Sequence, residues 1–166
     1  MERKVREALL GDVAAIAVIH VNAWKSAFKG LMPKGYIDKY TVQLRQREWL
    51  QAISTGVEHV LVAVDNNQIV GFLSYSEAKA SAAILELHKL YLCPSVYRKG
   101  IGQLLMAQLA LKAKEKDIEE INLYVLDSNK VAITFYRKLG FEFSDNSLTD
   151  TFEGETITDL QMVKRL

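Results

Sequence analysis

A short glycine-containing segment, Arg98-Lys99-Gly100-Ile101-Gly102, has the residue types of an anion-binding loop. It lies between a predicted strand and a predicted helix, so its backbone N–H groups precede the helix and lack acceptors within it. The helix dipole adds partial positive charge at the same end. Gly100 and Gly102 let the backbone approach an anion closely, and Arg98 and Lys99 add charge. The segment therefore predicts a phosphate-binding loop, although two glycines before a helix are also typical of a plain tight turn.

Two better-known phosphate motifs do not fit this loop. A dinucleotide-binding fingerprint, G-x-G-x-x-G, needs a third glycine at the position that Leu105 occupies. A nucleotide P-loop needs Gly-Lys followed by Ser or Thr, and the sequence contains no such tripeptide. NAD, FAD and P-loop nucleotides are therefore poor candidates for the bound phosphate compound.

Several other side chains have acid–base or nucleophilic chemistry. Glu86 and His88 stand two residues apart in a predicted strand, so their side chains share one face. Cys93 has the chemistry of an acyl-carrying nucleophile, but the sequence offers no evident base partner for it. His20 and His59 lack the spacing of metal ligands, and we interpret them as structural.

Hydrophobic periodicity predicts the elements that must hold these residues. A first helix is predicted from Gly11-Asp12 to about Phe28, and a second helical region has Leu44, Trp49 and Ile53 on one buried face. The other predicted elements are a strand near Val5, a hairpin of His59–Val64 and Ile69–Tyr75 around Asp65-Asn66-Asn67, a strand Leu85–Leu92, a helix from Leu104 to about Lys116, a strand Ile118–Leu126, a helix Asn129–Leu139, and strands at Phe141–Phe143 and Thr156–Val163. The order β-α-α-β-β-β-α-β-α-β-β predicts an α/β fold, whose mixed, mostly antiparallel sheet has about six to seven strands and helices on both faces.

Length and composition limit the class of protein. A chain of 166 residues predicts a single domain over residues 1–166. Hydrophobic residues make up 49% and charged residues 25%, which are ordinary globular values and argue against disorder. The 21 basic and 20 acidic residues leave a net charge of +1, so no overall field attracts nucleic acid or an anionic membrane, and neither partner is expected.

Cysteine usage and hydropathy exclude other classes. Cys93 is the only cysteine, so an internal disulfide and a cysteine-rich zinc site are excluded, and we expect no metal. The sequence has no run of about 20 apolar residues, so neither a signal peptide nor a membrane span is predicted. A cytoplasmic location is therefore the expectation.

The near-zero net charge hides a segregation along the chain. Residues 89–117 contain six basic and two acidic residues, a balance of +4, whereas residues 142–160 contain six acidic residues and no basic one. Solvated faces are one interpretation. The other is an anion site in the first stretch beside a cation site in the second.

Three separated stretches stand out together: Leu87–Pro94, Arg98–Gly102, and Asn129–Tyr136 followed by Leu139-Gly140-Phe141. The pairing of a Gly-x-Gly loop with a downstream Asn-x-x-Ala-x-x-Phe-Tyr-x-x-x-Gly-Phe resembles the GNAT superfamily of acyl-CoA-dependent N-acetyltransferases. The resemblance covers nearly the whole chain and implies the GNAT fold, with acetyl-CoA as the donor. The closing Gly154-Glu155 and Thr158–Met162 also resembles the bacterial spermidine/spermine acetyltransferase-like branch.

The resemblance implies where acetyl-CoA binds. The strand Leu85–Leu92 is expected to splay from Ile118–Leu126, so that the pantetheine arm enters the gap. The implied cofactor-binding residues are Leu90, Tyr91 and Leu92 through their backbone, the loop residues Arg98, Lys99, Gly100, Ile101, Gly102 and Gln103 through their amides, and Asn129. Asn129 also suits a helix N-cap. Tyr97 departs from the Gln or Arg that usually opens the family's loop, which puts a side-chain contact there in doubt.

The resemblance also implies catalytic roles. Acetyl transfer requires a neutral amine, whereas a free alkylamine has a pKa of about 10.4, so some group must take a proton. Glu86 matches the position of the glutamate that the family often uses, while His88 and a water chain are alternatives. Tyr136 is the implied acid that protonates the departing CoA thiolate. The same side chains also have purely structural interpretations. Glu86 and His88 can be partly exposed strand residues, and Tyr136 can be a packed core tyrosine.

The acceptor is the open part of the functional hypothesis. Trp24, Phe28, Met32 and Tyr36 lie in the helical region that walls the acceptor site in this family, although such a stripe is also typical of core. The acidic 142–160 stretch favours a small cationic amine such as a polyamine, with a peptide or amino-acid amine as the other acceptor class. A non-catalytic CoA-binding regulatory module and a nucleotide binder are the alternative functions. Members of the family commonly dimerise, so a homodimer is one expected state.

Overall fold

The computed structural model describes residues 2–166, which form a seven-stranded sheet flanked by helices. The strands are β1 Arg3–Glu7, β2 His59–Asp65, β3 Gln68–Ala78, β4 Ser81–Leu92, β5 Glu120–Leu126, β6 Glu142–Phe152 and β7 Glu155–Arg165, and the helices are α1 Val13–Phe28, α2 Lys34–Asp38, α3 Val42–Thr55, α4 Ile101–Glu115 and α5 Lys130–Lys138. The strand order is β1-β2-β3-β4-β5-β7-β6. Neighbouring strands are antiparallel except for β4 and β5, which are parallel. The predicted mixed α/β fold is thereby confirmed.

The helices cover both faces of the sheet, as the sequence predicts. On one face, α1 and α3 bury Ile16 and Trp49 against Val62 of β2 and Phe72 of β3. On the other face, α4 and α5 pack against the alternate residues of the same strands in a larger cluster that includes the fully buried Leu105. Among the helices of residues 2–166, none is both long and apolar enough to cross a membrane.

The β2–β3 hairpin turns through two asparagines, as predicted. Asp65 pairs with Gln68, which leaves Asn66 and Asn67 as the loop. Their φ angles are 49° and 63°, a left-handed conformation that asparagine tolerates better than most residues. The turn fixes the register of the first half of the sheet.

The sheet opens between β4 and β5. These strands pair only from Ile84 to Leu87 of β4, although β4 continues to Leu92. At the same point, Leu87 lies opposite Tyr75 of β3 while Lys89 lies opposite Ser74, so His88 is an extra residue that forms a β-bulge. A bulge bends and twists its strand, which explains why β4 diverges from β5 directly after it. The splay implied by the family resemblance is therefore present.

Three elements differ from the sequence prediction. The short helix α2 follows Pro33 and lies where no helix is predicted. The strand β4 begins at Ser81 instead of Leu85. The strand β6 continues to Phe152 instead of ending at Phe143, because it is an edge strand whose exposed, polar side chains show no apolar alternation. This long β6–β7 hairpin places its tip beside α2, where Phe152 lies close to Gly35.

Candidate active site

The predicted phosphate loop has backbone donors without helical acceptors at the start of α4. The Lys99 N–H is not one of them, because it donates to the Val96 oxygen at 3.3 Å, so the expectation of an amide contact from Lys99 is corrected. The first backbone bond of the helix joins the Leu104 N–H to the Gly100 oxygen at 3.1 Å, so the preceding amides have no acceptor within the helix. The loop turns through Arg98 and Gly100, whose φ angles are 61° and 83°. Arg98, Lys99 and Gly100 are exposed. The loop can therefore present several N–H groups and two positive charges to an anion.

Contacts on both sides hold this loop in place. The Arg3 guanidinium donates to the Lys99 carbonyl at 2.9 Å and to the Asp65 carboxylate at 3.3 Å. Behind the loop, a Cβ added to Gly102 would lie 3.1 Å from the Phe135 ring, so any other residue there would require the ring to move by a few tenths of an ångström. Ile101 is fully buried in the core. The loop is thus anchored to the sheet and to both helices.

The open edge of β4 presents alternate backbone groups to the gap. The Cys93 N–H donates to the Val70 oxygen of β3 at 2.8 Å. Backbone polar groups of successive strand residues point to opposite sides, so Leu90 and Leu92 direct theirs into the gap while Tyr91 pairs with β3. The expectation that all three backbones face a ligand is therefore corrected for Tyr91. Its side chain instead packs with the aromatic cluster of α1 and α2.

Tyr136 lies on α5 and packs against the core on the opposite side of the sheet from α1. Its ring is 5.3 Å from that of Phe135 and 5.7 Å from that of Phe141 between centroids. Burial raises the pKa of the Tyr136 phenol above its ordinary value, so the group stays protonated at neutral pH. Burial also raises the pKa of the Tyr91 phenol, with a further contribution from Tyr136.

Asn129 begins the helix that carries Tyr136. Its side-chain oxygen accepts the Ala132 N–H at 3.2 Å, which is the N-cap arrangement expected from the sequence. The Asn129 side chain is half-buried. The cap fixes the first turn of α5 and thereby the position of Tyr136, two turns later.

Glu86 and His88 flank the point where the gap opens. Glu86 is half-buried and lies opposite Asn122 of β5 and Ser76 of β3. The His88 Nε2 atom is 2.6 Å from the Ser76 hydroxyl. Desolvation lowers the pKa of His88 below its ordinary value, although the carboxylates of Glu58 and Glu86 oppose this effect. The imidazole of His88 is therefore neutral at neutral pH and has a ring nitrogen that can accept a proton.

The four predicted acceptor-wall residues lie in one cluster. Trp24, Phe28, Met32 and Tyr36 pack together with Phe152 of the β6–β7 hairpin, and Tyr91 joins them from the gap. The Trp24 ring is 4.7 Å from the Phe28 ring and 6.1 Å from the Tyr36 ring between centroids. The structure thus places this helical region beside the open edge of β4.

Carboxylates line the same region. Asp159 is half-buried on β7, opposite Leu126 at the end of β5. Burial raises the pKa of Asp159, and the carboxylates of Asp127 and Asp150 raise it further. Asp150 lies opposite Ile157, two residues from Asp159, so both carboxylates are on the hairpin face that carries Ile157 and Phe152 of the aromatic cluster.

The positive stretch of the sequence is less concentrated than its +4 balance suggests. Lys89 pairs with Glu58 at 3.2 Å, on the face covered by α1 and α3. Lys112 pairs with Glu7 at 3.0 Å and Lys116 approaches Glu77 at 3.8 Å, both away from the loop. Arg98 and Lys99 are the basic residues of this stretch that lie in the phosphate loop itself.

The remaining candidates have structural surroundings. The His20 Nδ1 atom accepts the Trp49 Nε1–H at 3.0 Å, and burial, followed by the charges of Arg45 and Lys89, lowers the pKa of His20 to about 3. Burial raises the pKa of the Cys93 thiol, which disfavours the nucleophilic thiolate. Within residues 2–166, no group of three or more His, Cys, Asp or Glu side chains is arranged to hold a metal ion.

Comparison with known proteins identifies the family. The profile of the acetyltransferase (GNAT) family matches residues 21–141. The chain belongs to the GNAT family. It is 29% identical to the spermidine N(1)-acetyltransferase of Thermoplasma acidophilum over 155 residues, which cover 90% of this chain and 94% of that protein. It is 32% identical to the ribosomal protein bS18 alanine N-acetyltransferase of Haemophilus influenzae over 85 residues, 51% of this chain and 56% of that protein.

Solved structures agree with the family assignment. The PaiA N-acetyltransferase from Thermoplasma acidophilum, solved in complex with coenzyme A, matches with a TM-score of 0.80 and 27% identity over 100% of both chains. This GNAT chain is therefore an N-acetyltransferase that uses acetyl-CoA as its acetyl donor. The loop before α4 and the open edge of β4 fit such a donor, because one offers N–H groups to phosphates and the other offers strand-like hydrogen bonds to an extended arm.

Sequence reasoning did not single out several residues of the acceptor side. Lys39 and Tyr40 are three and four residues after Tyr36, a spacing that places side chains on the same side of a helix. This spacing is the one feature of the sequence that could have indicated their proximity. Asp159 and Phe152 enter the site only because β6 and β7 form one long hairpin. Asp159 belongs to the acidic stretch of the sequence, but its place on the same hairpin face as Phe152 depends on the fold.

Proposed function

We propose that this GNAT enzyme acetylates a primary amine of a small cationic acceptor, with a polyamine as the leading candidate. The observation that carries the proposal is the half-buried Asp159, which shares one face of the β6–β7 hairpin with Asp150 beside the aromatic cluster, and whose pKa is raised by burial and by neighbouring carboxylates. Such a cluster attracts a cation, and a cation bound there relieves the repulsion among the carboxylates. The name of the Thermoplasma relative, a spermidine acetyltransferase, supports the same acceptor class.

The donor is proposed to bind along α4 and β4. The amides of Arg98, Gly100, Ile101, Gly102 and Gln103 are the proposed donors to its phosphates, and Lys99 contributes its side-chain charge because its amide donates to the Val96 oxygen. Leu90 and Leu92 are proposed to contact the arm through their backbones. Asn129 and the Tyr91 side chain border the gap as further contacts. Bound acetyl-CoA supplies a thioester, which is an activated acetyl group.

Glu86 is the proposed proton acceptor for the acceptor ammonium. It lies on the sheet face that α1 and α3 cover, at the second-last pair before β4 and β5 separate. His88 is the competing acceptor, since its lowered pKa keeps its imidazole neutral. Tyr136 is the proposed proton donor to the leaving thiolate, because burial keeps its hydroxyl protonated.

A thiol-release assay tests this function. The purified protein is incubated with acetyl-CoA and a panel of polyamines, monoamines, amino acids and peptides, and free CoA is measured. We expect the highest kcat/KM for a polyamine. A preference for amino-acid or peptide amines would overturn the acceptor class while retaining the enzyme.

Ligand-induced stabilisation tests the donor site separately. Acetyl-CoA and CoA are expected to raise the melting temperature, whereas NAD and ATP are not, because only a ligand of the native state stabilises it. Stabilisation by CoA without turnover of any amine would favour the non-catalytic CoA-binding module.

A further inference from the structure

The side-chain ammonium of Lys39 lies inside a cage of three aromatic rings. Its Nζ atom is 4.1 Å from the ring centroid of Tyr36, 5.0 Å from that of Tyr40 and 5.5 Å from that of Phe152. All three distances are within the range of cation–π attraction. We call these three rings the aromatic cage.

The rings of the cage support one another. Tyr36 meets Tyr40 edge-on at 6.3 Å and Phe152 edge-on at 5.1 Å between centroids. The guanidinium of the buried Arg45 lies 3.8 Å from the Tyr40 ring centroid and is paired with Glu48 at 2.8 Å. The position of Tyr40 is therefore set by packing, independently of Lys39.

The cage has acidic neighbours. Burial, then the charges of Tyr40, Asp150 and Asp159, raise the pKa of the Tyr36 phenol. Asp150 and Phe152 are two residues apart on β6 and share one face of the hairpin. The surroundings of the cage combine π faces with negative charge, and both features attract an ammonium group.

The cage also adjoins the gap between β4 and β5. Tyr36 and Phe152 belong to the same packed cluster as Tyr91 of β4, the strand that borders the gap. An extended acceptor can therefore have one end at the gap and the other in the cage. Lys39 is exposed at the end of α2, so its side chain can leave the cage without disturbing the core.

We propose that the aromatic cage is the subsite for the second, non-reacting ammonium group of a diamine or polyamine acceptor, and that Lys39 occupies it when no acceptor is bound. The inference rests on the proposed function for the reacting end of the acceptor. It adds the binding position of the second ammonium group of the acceptor. It also identifies Lys39 as a side chain of the enzyme that competes with this group for the cage. Lys39 thereby sets how strongly the enzyme prefers a second positive charge.

The first test compares α,ω-diamines with amino alcohols of the same length, in which a hydroxyl replaces the second ammonium. The measured quantity is the ratio of kcat/KM for the diamine to kcat/KM for the amino alcohol. We expect this ratio to fall about 3- to 10-fold in Tyr36→Leu and in Tyr40→Leu, since each removes one ring from the cation. Tyr36→Phe keeps the ring and should retain the ratio.

Substitution of the occupant should have the opposite effect. Lys39→Met frees the cage and is expected to raise the ratio about 3- to 10-fold. Lys34→Met is the matched control, because it removes one positive charge from the same short helix at a residue that pairs with Asp38 outside the cage. An equal rise in Lys34→Met would show a general charge effect and overturn the role of Lys39.

Calorimetry with tetramethylammonium provides a readout that does not require turnover. This cation has no N–H to acetylate, and we expect the CoA-loaded Lys39→Met variant to bind it more tightly than the wild type does. The Lys39→Met/Tyr36→Leu double variant should lose that binding. Equal, weak binding in all three proteins would overturn the cage. Absence of turnover with every amine would refute the proposed function, while this titration would still decide whether the cage binds ammonium.

Discussion

Glu86 and Tyr136 approach the opening of the sheet from opposite faces. Glu86 lies on the face that α1 and α3 cover, whereas Tyr136 extends from α5, which packs on the other face. The two proposed proton transfers are therefore assigned to different sides of the gap. This separation suits a reaction in which one group takes a proton from the incoming amine and another returns one to the leaving thiolate.

Replacement of Tyr136 by phenylalanine tests the proton donor. Tyr136→Phe keeps the ring that packs against Phe135 and Phe141 but removes the hydroxyl. We expect kcat to fall about 100-fold, within the usual contribution of general acid catalysis, with an unchanged Kd for CoA and an unchanged melting temperature. A kcat equal to that of the wild type at saturating amine would contradict the assignment.

Parallel substitutions of Glu86 and His88 distinguish the two candidate bases. We expect Glu86→Gln to lower kcat/KM by about 10- to 100-fold, because glutamine keeps the shape but accepts no proton from the amine. His88→Gln should change kcat/KM much less. Steady-state kinetics with the best amine of the screen measures both, and a larger loss in His88→Gln would transfer the role to the histidine.

At this scale the sequence singled out candidate residues but not the surroundings in which the fold places them. Gly100, Asn129 and Tyr136 could be singled out because glycines before a helix, an N-cap asparagine and the Asn-to-Phe motif have local signatures. The inward direction of the Leu90 and Leu92 backbones, and the opposite direction at Tyr91, depends on strand register with β3. Register is a tertiary property that no short motif encodes.

At the scale of elements, the start of α4 has the most demanding backbone. Gly100 has a φ of 83°, and the conformation aims the following amides out of the helix end. Gly56, which ends α3, has a φ of 70° and no atom within 4 Å of an added Cβ. Both glycines therefore require a positive φ angle, but only Gly100 lies at the proposed phosphate site.

The pair Gly100→Ala and Gly56→Ala tests the loop as an element. Each substitution is expected to cost about 1 kcal/mol of unfolding free energy, because alanine is strained at positive φ. Gly100→Ala should also raise the Kd for CoA about tenfold by misaligning hydrogen bonds to a charged group. Denaturation and CoA titration measure the two effects. An equal loss of CoA affinity in Gly56→Ala would contradict the placement of the phosphates.

Elements with strong periodicity or clear turn residues were predictable. The first helix and the Asn66–Asn67 hairpin agree with the structure, since apolar spacing and positive-φ residues are local signals. The length of β6 could not be predicted from its own sequence, because this exposed edge strand is stabilised by pairing with β7. The aromatic cage could not be predicted either, because its residues come from α2 and the hairpin tip, which are distant in sequence.

For the whole molecule, His20 couples stability to pH. Its native pKa is lowered to about 3 from an ordinary value of 6.5, so below pH 6.5 the unfolded chain binds a proton that the native protein does not. The free energy of unfolding is therefore expected to decrease as pH falls below 6.5, by at most about 1.4 kcal/mol per pH unit from this group.

Substitution of His20 should remove that contribution. His20→Gln can still accept the Trp49 N–H but does not titrate, so its stability should depend less on pH between about pH 7 and about pH 5. Denaturant unfolding at several pH values measures the difference. His88→Gln serves as the control at a less buried histidine. Parallel curves for the wild type and His20→Gln would contradict the buried, neutral state of His20.

The separation of β4 from β5 leaves a strand edge unsatisfied in the middle of the sheet. In the unliganded protein, the Leu90 and Leu92 amides can exchange their hydrogens with solvent even though they belong to a central strand, whereas the Tyr91 amide is held by β3. A ligand that fills the gap continues the hydrogen bonding of β4 on the side where its pairing with β5 ends at Leu87. Alternate residues of one strand thus report, by their exchange rates, whether the two halves of the sheet are joined through protein or through ligand.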